Sequence, residues 1–199
     1  MEKIVYIIPG YGETPSMAAY KKISGFFRRK KIEPISVEIL WKNRVMTNYV
    51  EQFIDKYNMR NNKKRGNDEV YLFGFSFGAM VSFLSSIEIN PKLQILCSLS
   101  PYFREDLISV KDRWKRLVGK RRIKDFGNYS FDDLTKRINC KNILVYGSEE
   151  DDICLKRAMD AEKKLKNSKL IIVKGAKHDI SQKEYLERLE EIILEEIKY

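Results

Sequence analysis

The 199-residue chain carries 38 Lys and Arg against 28 Asp and Glu, for a formal charge of +10, and 43% of its residues are hydrophobic. A chain of this size can bury one substantial core and contains no Gly-, Ser- or Pro-rich linker, so we expect a single globular domain over residues 1–199. No apolar run is long enough for a membrane span, and Met1–Ile8 lacks the apolar stretch of a secretory signal, which together predict a cytoplasmic protein without a transmembrane segment.

The positive charge does not by itself predict a nucleic-acid-binding protein. Lys and Arg residues occur in every predicted helix and are interleaved with Asp and Glu, and the sequence contains no recognisable nucleic-acid-binding module. We therefore interpret the charge as a solvated basic surface and do not expect nucleic acid as a partner.

The cysteines predict neither a disulfide framework nor a zinc site. Cys97, Cys140 and Cys154 form no CxxC pair and are odd in number. We expect reduced, structural thiols, and no metal or cofactor.

Short runs rich in Ile, Val, Leu and Tyr alternate with longer segments of helical periodicity. The runs predict buried strands at Lys3–Ile8, Ile35–Leu40, Val70–Phe73, Leu93–Leu99, Asn142–Tyr146 and Leu170–Val173. This alternation predicts an α/β fold with three layers, in which helices cover both faces of a doubly wound, mostly parallel six-stranded sheet. In such sheets ligands bind beyond the carboxyl ends of the strands.

The sequence YLFGFSFGAMVSF, from Tyr71 to Phe83, contains the end of the third predicted strand and the residues that follow it. It places Ser76 between Gly74 and Gly78. A helix is predicted to follow, from about Phe77 to Ile89. The pattern G-x-S-x-G at a strand-to-helix turn is typical of a nucleophile elbow, which holds a serine in a strained, exposed position. Ser76 is therefore the candidate nucleophile.

A serine nucleophile needs a base, and the chain contains one histidine, His178. It follows the sixth predicted strand, where a loop can carry its ring over Ser76. The alternative is an ordinary surface histidine. Because Ser76 and His178 both follow the carboxyl ends of predicted strands, we favour a catalytic base over a surface histidine.

The carboxylate that orients the histidine is expected in the loop after the fifth strand. That loop carries four consecutive acids, Glu149 to Asp152. They form either a solvated acidic turn or the source of the third catalytic residue.

The order Ser76, acid, His178, together with the elbow, resembles the α/β-hydrolase superfamily over essentially the whole chain, and in particular its small single-domain members with a minimal cap or none. The resemblance implies the strand order 2-1-3-4-5-6. It also implies a Ser-His-Asp triad whose acid is Asp151, because family acids commonly lie three or four residues beyond the end of this strand and are usually Asp. Asp152 is the second choice for the acid and Glu150 the third.

The resemblance also implies an oxyanion hole. Its donors are the backbone N–H of Phe77 and, from the loop Pro9-Gly10-Tyr11-Gly12, the N–H of Tyr11. The same loop can equally be a turn that starts a helix, with Thr14 as its cap and Pro15 at its first position. It lacks the third glycine of a dinucleotide-binding motif.

Apolar and aromatic residues near the strand ends predict a pocket for an acyl or aryl group. The candidates are Tyr11, Trp41, Phe75, Phe77, Met80, Tyr102 and Phe103. The longest excursion between strands, residues 102–139, is a candidate small lid or insertion.

Within this excursion, an apolar stripe made by Leu107, Val110, Trp114, Leu117 and Val118 accompanies dense Lys and Arg over 111–124. A surface helix is expected there. The alternative is a basic patch over 107–124 that attracts anionic substrates or an acidic membrane surface.

These features predict a serine hydrolase that cleaves carboxylic esters or thioesters through an acyl-enzyme, with a small-molecule acyl substrate and no cofactor. The alternatives are an acyltransferase or amidase that uses the same triad, and a catalytically inactive binding module of the same fold.

Overall fold

The computed structural model describes residues 2–62 and 68–197. Residues 1, 63–67 and 198–199 of the predicted domain lie outside the described residues. Six strands form one parallel sheet in the order β2-β1-β3-β4-β5-β6, as predicted. The strands are β1 (Lys3–Ile8), β2 (Glu33–Ser36), β3 (Glu69–Phe75), β4 (Leu93–Cys97), β5 (Lys141–Gly147) and β6 (Ser168–Val173).

Helices connect these strands, and three of them lie between β4 and β5. Their bounds are α1 (Ala18–Arg29), α2 (Met46–Asn61), α3 (Phe77–Ile89), α4 (Asp112–Val118), α5 (Lys120–Phe126), α6 (Phe131–Thr135), α7 (Asp152–Lys164) and α8 (Lys183–Glu196). The prediction for α3 is confirmed to the residue.

The sheet is buried on both faces because its strands are apolar on both sides. In β1, Tyr6 faces one core together with Phe53 of α2 and residues of α3, whereas Val5 faces the other core with residues of α1 and α8. The helices therefore form two outer layers around the sheet, as the continuous apolar runs predict.

The third to sixth strands differ from their predicted bounds by one or two residues, and two other predicted boundaries were further off. The second strand occupies Glu33–Ser36 instead of Ile35–Leu40, because it lies at the sheet edge, where polar residues face solvent, and the chain then turns towards α2. Leu40 N–H donates to Gln52 Oε1 at 2.8 Å rather than to a strand. The first helix begins at Ala18, after an N-cap at Met17, so Thr14 and Pro15 precede it.

Residues 102–139 contain α4, α5 and α6, and these helices are buried to different extents. Phe126 and Phe131 are fully buried in the core beside α3. Helix α4 has no buried residue, although its apolar stripe predicts a packed surface helix. Its apolar face instead borders a cavity. Within residues 2–62 and 68–197, no helix has the length and apolar character needed to cross a membrane.

Candidate active site

Ser76 occupies the sharp turn between β3 and α3. Its backbone has φ 54° and ψ −118°, a conformation that L-residues rarely adopt, and its N–H donates to Cys97 O at 2.9 Å. A Cβ on Gly74 would lie 2.3 Å from Gly78 O, and one on Gly78 would lie 2.2 Å from Ile8 O. Both glycines are therefore needed for the close approach of strand and helix, as the motif predicts.

The structure brings Ser76 and His178 together. His178 Nε2 lies 3.0 Å from Ser76 Oγ, and His178 Nδ1 lies 2.8 Å from Glu150 Oε2. The imidazole packs on Phe75, with ring centroids 5.0 Å apart. With a proton on Nδ1, the ring donates to the carboxylate and presents the Nε2 lone pair to the serine hydroxyl, the geometry of a serine–histidine–carboxylate triad.

Glu150 is held rigidly. Its side chain is 0% exposed, and its Oε1 accepts hydrogen bonds from Gly147 N–H at 2.8 Å and from Ser98 Oγ at 2.6 Å. Ser98 in turn lies 2.8 Å from the hydroxyl of Tyr185. Burial raises the pKa of Tyr185 well above its ordinary value, so this phenol remains protonated.

The prediction that Asp151 contacts His178 was wrong, as was the second choice, Asp152. Asp151 is the N-cap of α7, where its Oδ1 accepts from Ile153 N–H at 3.4 Å, and its Oδ2 lies 3.3 Å from Lys111 Nζ. Asp152 is the exposed first residue of that helix. The longer Glu150 side chain turns inward from the preceding residue and reaches the ring.

Ser98 was missed by the sequence reasoning. It follows β4, and its φ of 51° lies in the left-handed region, which turns its hydroxyl towards Glu150. The sequence prediction extended the fourth strand to Leu99 and so placed Ser98 inside it, whereas β4 ends at Cys97.

The loop after β1 is fixed by Glu13 and Tyr20. Glu13 Oε2 accepts from Gly10 N–H at 2.8 Å and also from the Tyr20 hydroxyl. Among the described residues, the N–H groups of Tyr11 and Phe77 donate to no other group. Both residues border the same cavity as Ser76, so their amides remain candidates for the oxyanion hole.

A cavity of about 580 Å³, which we call the catalytic cavity, opens over Ser76 and His178. Of the predicted pocket residues, only Tyr11, Phe77 and Tyr102 line it. Trp41, Phe75, Met80 and Phe103 do not line the cavity, because each is buried in a core cluster. Phe75 packs against the His178 ring instead of lining the cavity.

Helix α4 and its flanks supply the apolar wall that the pocket prediction missed. The lining residues there are Val110, Trp114, Leu117 and Val118. The apolar stripe in the sequence identified these residues, but as a face packed on the core. Cys154 also lines the cavity, and burial raises its pKa to about 12, so it remains a thiol.

Arg122 of α5 connects residues 102–139 to the loop that carries Tyr11. Its guanidinium lies 4.8 Å from the centroid of the Tyr11 ring, and Nη2 donates to the Tyr11 hydroxyl at 2.8 Å. It also donates to Trp41 O at 3.2 Å and Arg44 O at 3.0 Å. Arg122 therefore fixes one side of the candidate oxyanion hole.

Across residues 2–62 and 68–197, no group of three or more His, Cys, Asp or Glu side chains has an arrangement suited to a metal ion. Glu150 instead contacts His178, and His178 contacts Ser76. The arrangement provides a nucleophile, a base and an orienting carboxylate beside an apolar cavity.

No protein-family model matches the sequence, and no curated protein matches it. Solved structures do resemble it. Est1E from Butyrivibrio proteoclasticus has a TM-score of 0.81 at 13% identity, over 98% of this chain and 88% of its own. Alpha/beta hydrolase domain-containing protein 10 from mouse has a TM-score of 0.77 at 11% identity, over 96% of this chain and 87% of its own.

The esterase Pf2001 from Pyrococcus furiosus has a TM-score of 0.72 at 13% identity, over 97% of this chain and 82% of its own. At such identities, the similarity establishes architecture. Together with the strand order and the elbow after β3, it shows that the chain has the α/β-hydrolase fold.

Proposed function

We propose that the protein is a serine hydrolase that cleaves carboxylic esters or thioesters. The observation that carries this proposal is the continuous set of contacts from Ser76 Oγ to His178 Nε2, at 3.0 Å, and from His178 Nδ1 to Glu150 Oε2, at 2.8 Å. A serine hydroxyl is a weak nucleophile unless such a base removes its proton.

In the proposed reaction, Ser76 Oγ attacks the substrate carbonyl carbon while His178 Nε2 takes the hydroxyl proton. Glu150 holds the ring in the required tautomer and stabilises the imidazolium. The N–H groups of Tyr11 and Phe77 donate to the negatively charged oxygen of the tetrahedral intermediate.

The intermediate collapses when the carbon–oxygen or carbon–sulfur bond to the leaving group breaks and His178 returns the proton to the leaving group. Water, deprotonated by His178, then attacks the acyl-enzyme. This step releases the carboxylic acid and restores the Ser76 hydroxyl.

The catalytic cavity supports an acyl or aryl substrate group. Its lining includes the apolar side chains of Phe77, Tyr102, Trp114 and Leu117, and its volume of about 580 Å³ is in the range of small-molecule sites. Two of the similar structures are described as esterases or hydrolases, and Est1E has been solved with ferulic acid bound. These likenesses support the reaction class that the geometry favours.

We also propose that residues 102–139 are an insertion within a single domain, with α4 as a partial cap over the catalytic cavity. Its apolar side chains border the cavity, while its Lys and Arg side chains are largely exposed.

A fluorophosphonate probe tests the nucleophile directly, since it reacts with activated serines. We expect one labelled site per chain, complete loss of labelling in Ser76→Ala, and normal labelling in the control Ser16→Ala, which removes an exposed serine far along the chain from the elbow. Labelling that persists in folded Ser76→Ala would contradict the assignment. A panel of p-nitrophenyl esters and acyl-CoA thioesters of graded chain length then measures the acyl preference.

A further inference from the structure

A second cavity, which we call the basic cavity, lies beside the catalytic cavity. It has a volume of about 320 Å³ and is formed by the loop before α2 and the junction of α4 and α5. Its lining residues are Asn43, Arg44, Val118, Gly119, Lys120, Arg121 and Arg122. Four of these are cationic, and none is acidic. A concave surface with only one sign of charge focuses its field on a ligand of the opposite sign.

The exposed cations of this cavity are not paired with any carboxylate of residues 2–62 and 68–197. In the described part of the chain, the side chains of Arg44, Lys120 and Arg121 form no ion pair with a carboxylate, and the recorded contact of Arg121 is to the carbonyl of Asn43 at 3.4 Å. By contrast, Arg29 and Arg60 pair with glutamates at 2.5 and 2.8 Å. The guanidinium groups of the basic cavity thus retain their capacity for an anionic ligand.

The catalytic cavity has a different charge pattern. Lys111, Arg122 and Lys177 line it, but so do Glu149, Glu150 and Asp151, and Lys111 lies 3.3 Å from Asp151. Cationic and acidic residues are therefore balanced around Ser76, and the rest of the wall is mainly apolar. An anionic group is accommodated better in the basic cavity than next to the reacting atoms.

The two cavities share a wall. Val118 and Arg122 line both of them, and Arg122 is held in place by its bonds to Tyr11 and Trp41. One extended molecule can therefore occupy both sites, with its acyl group at Ser76 and an anionic group beyond Arg122.

We propose that the basic cavity binds a phosphate-bearing part of the substrate, so that the preferred substrates are acyl esters or thioesters of a phosphorylated carrier. Arginine presents a planar fork of donors that matches phosphate oxygens. Arg44 and Arg121 provide two such forks, and Lys120 lines the same cavity. The assignment of the acyl group to Ser76 rests on the proposed function, whereas the phosphate site stands on the basic cavity alone.

Binding tests the phosphate site without catalysis. Coenzyme A serves as a phosphate-bearing probe and pantetheine as its counterpart without phosphate, both titrated calorimetrically into the Ser76→Ala protein. We expect coenzyme A to bind, pantetheine to bind at least tenfold more weakly, and the difference to shrink as salt rises. In that background, Arg44→Gln/Arg121→Gln should weaken coenzyme A about tenfold, which equals about 1.4 kcal/mol.

The matched control is Lys21→Gln/Lys22→Gln, which removes the same charge from exposed positions on α1, at the opposite face of the sheet. It should leave coenzyme A affinity within twofold. Equal losses in both double variants would reduce the effect to net charge and overturn the proposal, as would coenzyme A binding no better than pantetheine. Thermal melting verifies that each variant is folded. If Arg44→Gln/Arg121→Gln does not fold, the single substitution Lys120→Gln tests the basic cavity in its place.

Kinetics connect the two sites. The ratio of kcat/KM for butyryl-CoA to that for butyryl-pantetheine should exceed tenfold in the wild type and fall about tenfold in Arg44→Gln/Arg121→Gln. If coenzyme A binds through these arginines but neither thioester is hydrolysed, the phosphate site stands and the proposed function fails. If both are hydrolysed at equal rates, the serine hydrolase stands and the phosphate site is wrong. Inorganic pyrophosphate should compete with coenzyme A but not with butyryl-pantetheine, because only coenzyme A places phosphate in the basic cavity. Pyrophosphate that binds without displacing coenzyme A would show that the cavity holds free phosphate compounds only and would overturn the proposal.

Discussion

At the scale of single residues, the orientation of Glu150 decides the chemistry of the acid loop. Four adjacent acids follow β5, and only Glu150 has a fully buried side chain that contacts His178. Its second oxygen already accepts two hydrogen bonds, from Gly147 and Ser98. A carboxylate held in this way has little freedom to leave the imidazole.

We predict that Glu150→Gln lowers kcat by about a thousand- to ten-thousandfold, in line with the loss of tautomer control in serine proteases. The amide oxygen can still accept from Gly147 and Ser98, but its NH₂ group then faces His178 Nδ1 and favours the tautomer with the proton on Nε2. Steady-state kinetics on the best ester of the panel measure the loss, and circular dichroism verifies folding.

Asp151→Asn is the matched control for this change. Asparagine is as good an N-cap as aspartate, so stability and kcat should both remain close to wild type. A collapse of kcat in Asp151→Asn together with an active Glu150→Gln would contradict the assignment of the acid.

Arg122 is a positioning residue in the proposed mechanism. We predict that Arg122→Gln lowers kcat for a small neutral ester about tenfold with a smaller change in KM, because the Tyr11 loop loses both its cation–π contact and its hydroxyl hydrogen bond. A double-mutant cycle with Tyr11→Phe should show coupling in kcat, since both substitutions break the same contact.

The control for Arg122 is Lys124→Gln on the same helix, an exposed position that lines neither cavity. A purely structural role for Arg122 would lower the melting temperature and the active fraction without changing kcat per labelled serine. That result, or additive effects of the two substitutions, would remove the positioning role.

At the scale of elements, Glu196 connects the end of α8 to two strands. Its carboxylate lies 2.6 Å from both Lys141 Nζ of β5 and Lys169 Nζ of β6. The hydrogen bonds from Lys141 and then Lys169 lower the pKa of Glu196 below its ordinary value of 4.5. The ionised form is therefore favoured in the folded protein.

We predict that Glu196→Gln lowers the free energy of unfolding by about 1 kcal/mol at neutral pH. Because the pKa is lower in the folded state, this contribution is complete above the unfolded-state value of 4.5 and is lost as the pH falls through the folded-state pKa. The difference between wild type and variant should thus vanish in acid. Urea titrations between pH 7 and pH 3 measure it, with the exposed Glu195→Gln as control; a difference that does not change with pH would contradict this assignment.

At the scale of the whole molecule, the sequence predicted the features that depend on local pattern. The alternation of apolar runs and helical segments predicted the parallel sheet, and the glycines around Ser76 predicted the elbow. The chain order of serine, acid loop and histidine predicted that Ser76 and His178 would meet. The meeting of Ser76 and His178 follows from the parallel sheet, because the carboxyl ends of its strands share one edge.

The features that the sequence did not predict depend on contacts between distant segments. Which of the four adjacent carboxylates turns inward is set by two sets of contacts. Asp151 serves as the N-cap of α7, whereas the Ser98 hydroxyl, just after β4, and the Gly147 N–H of β5 donate to Glu150. The cavity wall depends on how α4 lies over the sheet. The sequence therefore revealed the apolar stripe of α4 but not which part of the molecule this stripe faces. Whether a residue such as Phe75 or Met80 faces the cavity or the core depends on a small rotation of its strand or helix. Hydrophobic periodicity does not resolve such a rotation.

The backbone conformation at Ser76 carries an energetic cost for a serine. A φ of 54° with ψ of −118° costs a non-glycine residue on the order of 1–3 kcal/mol, a sizeable part of the stability of a typical domain. Glycine would avoid that cost at this position. In the proposed function, this cost is offset by the nucleophilic hydroxyl, which glycine would lack.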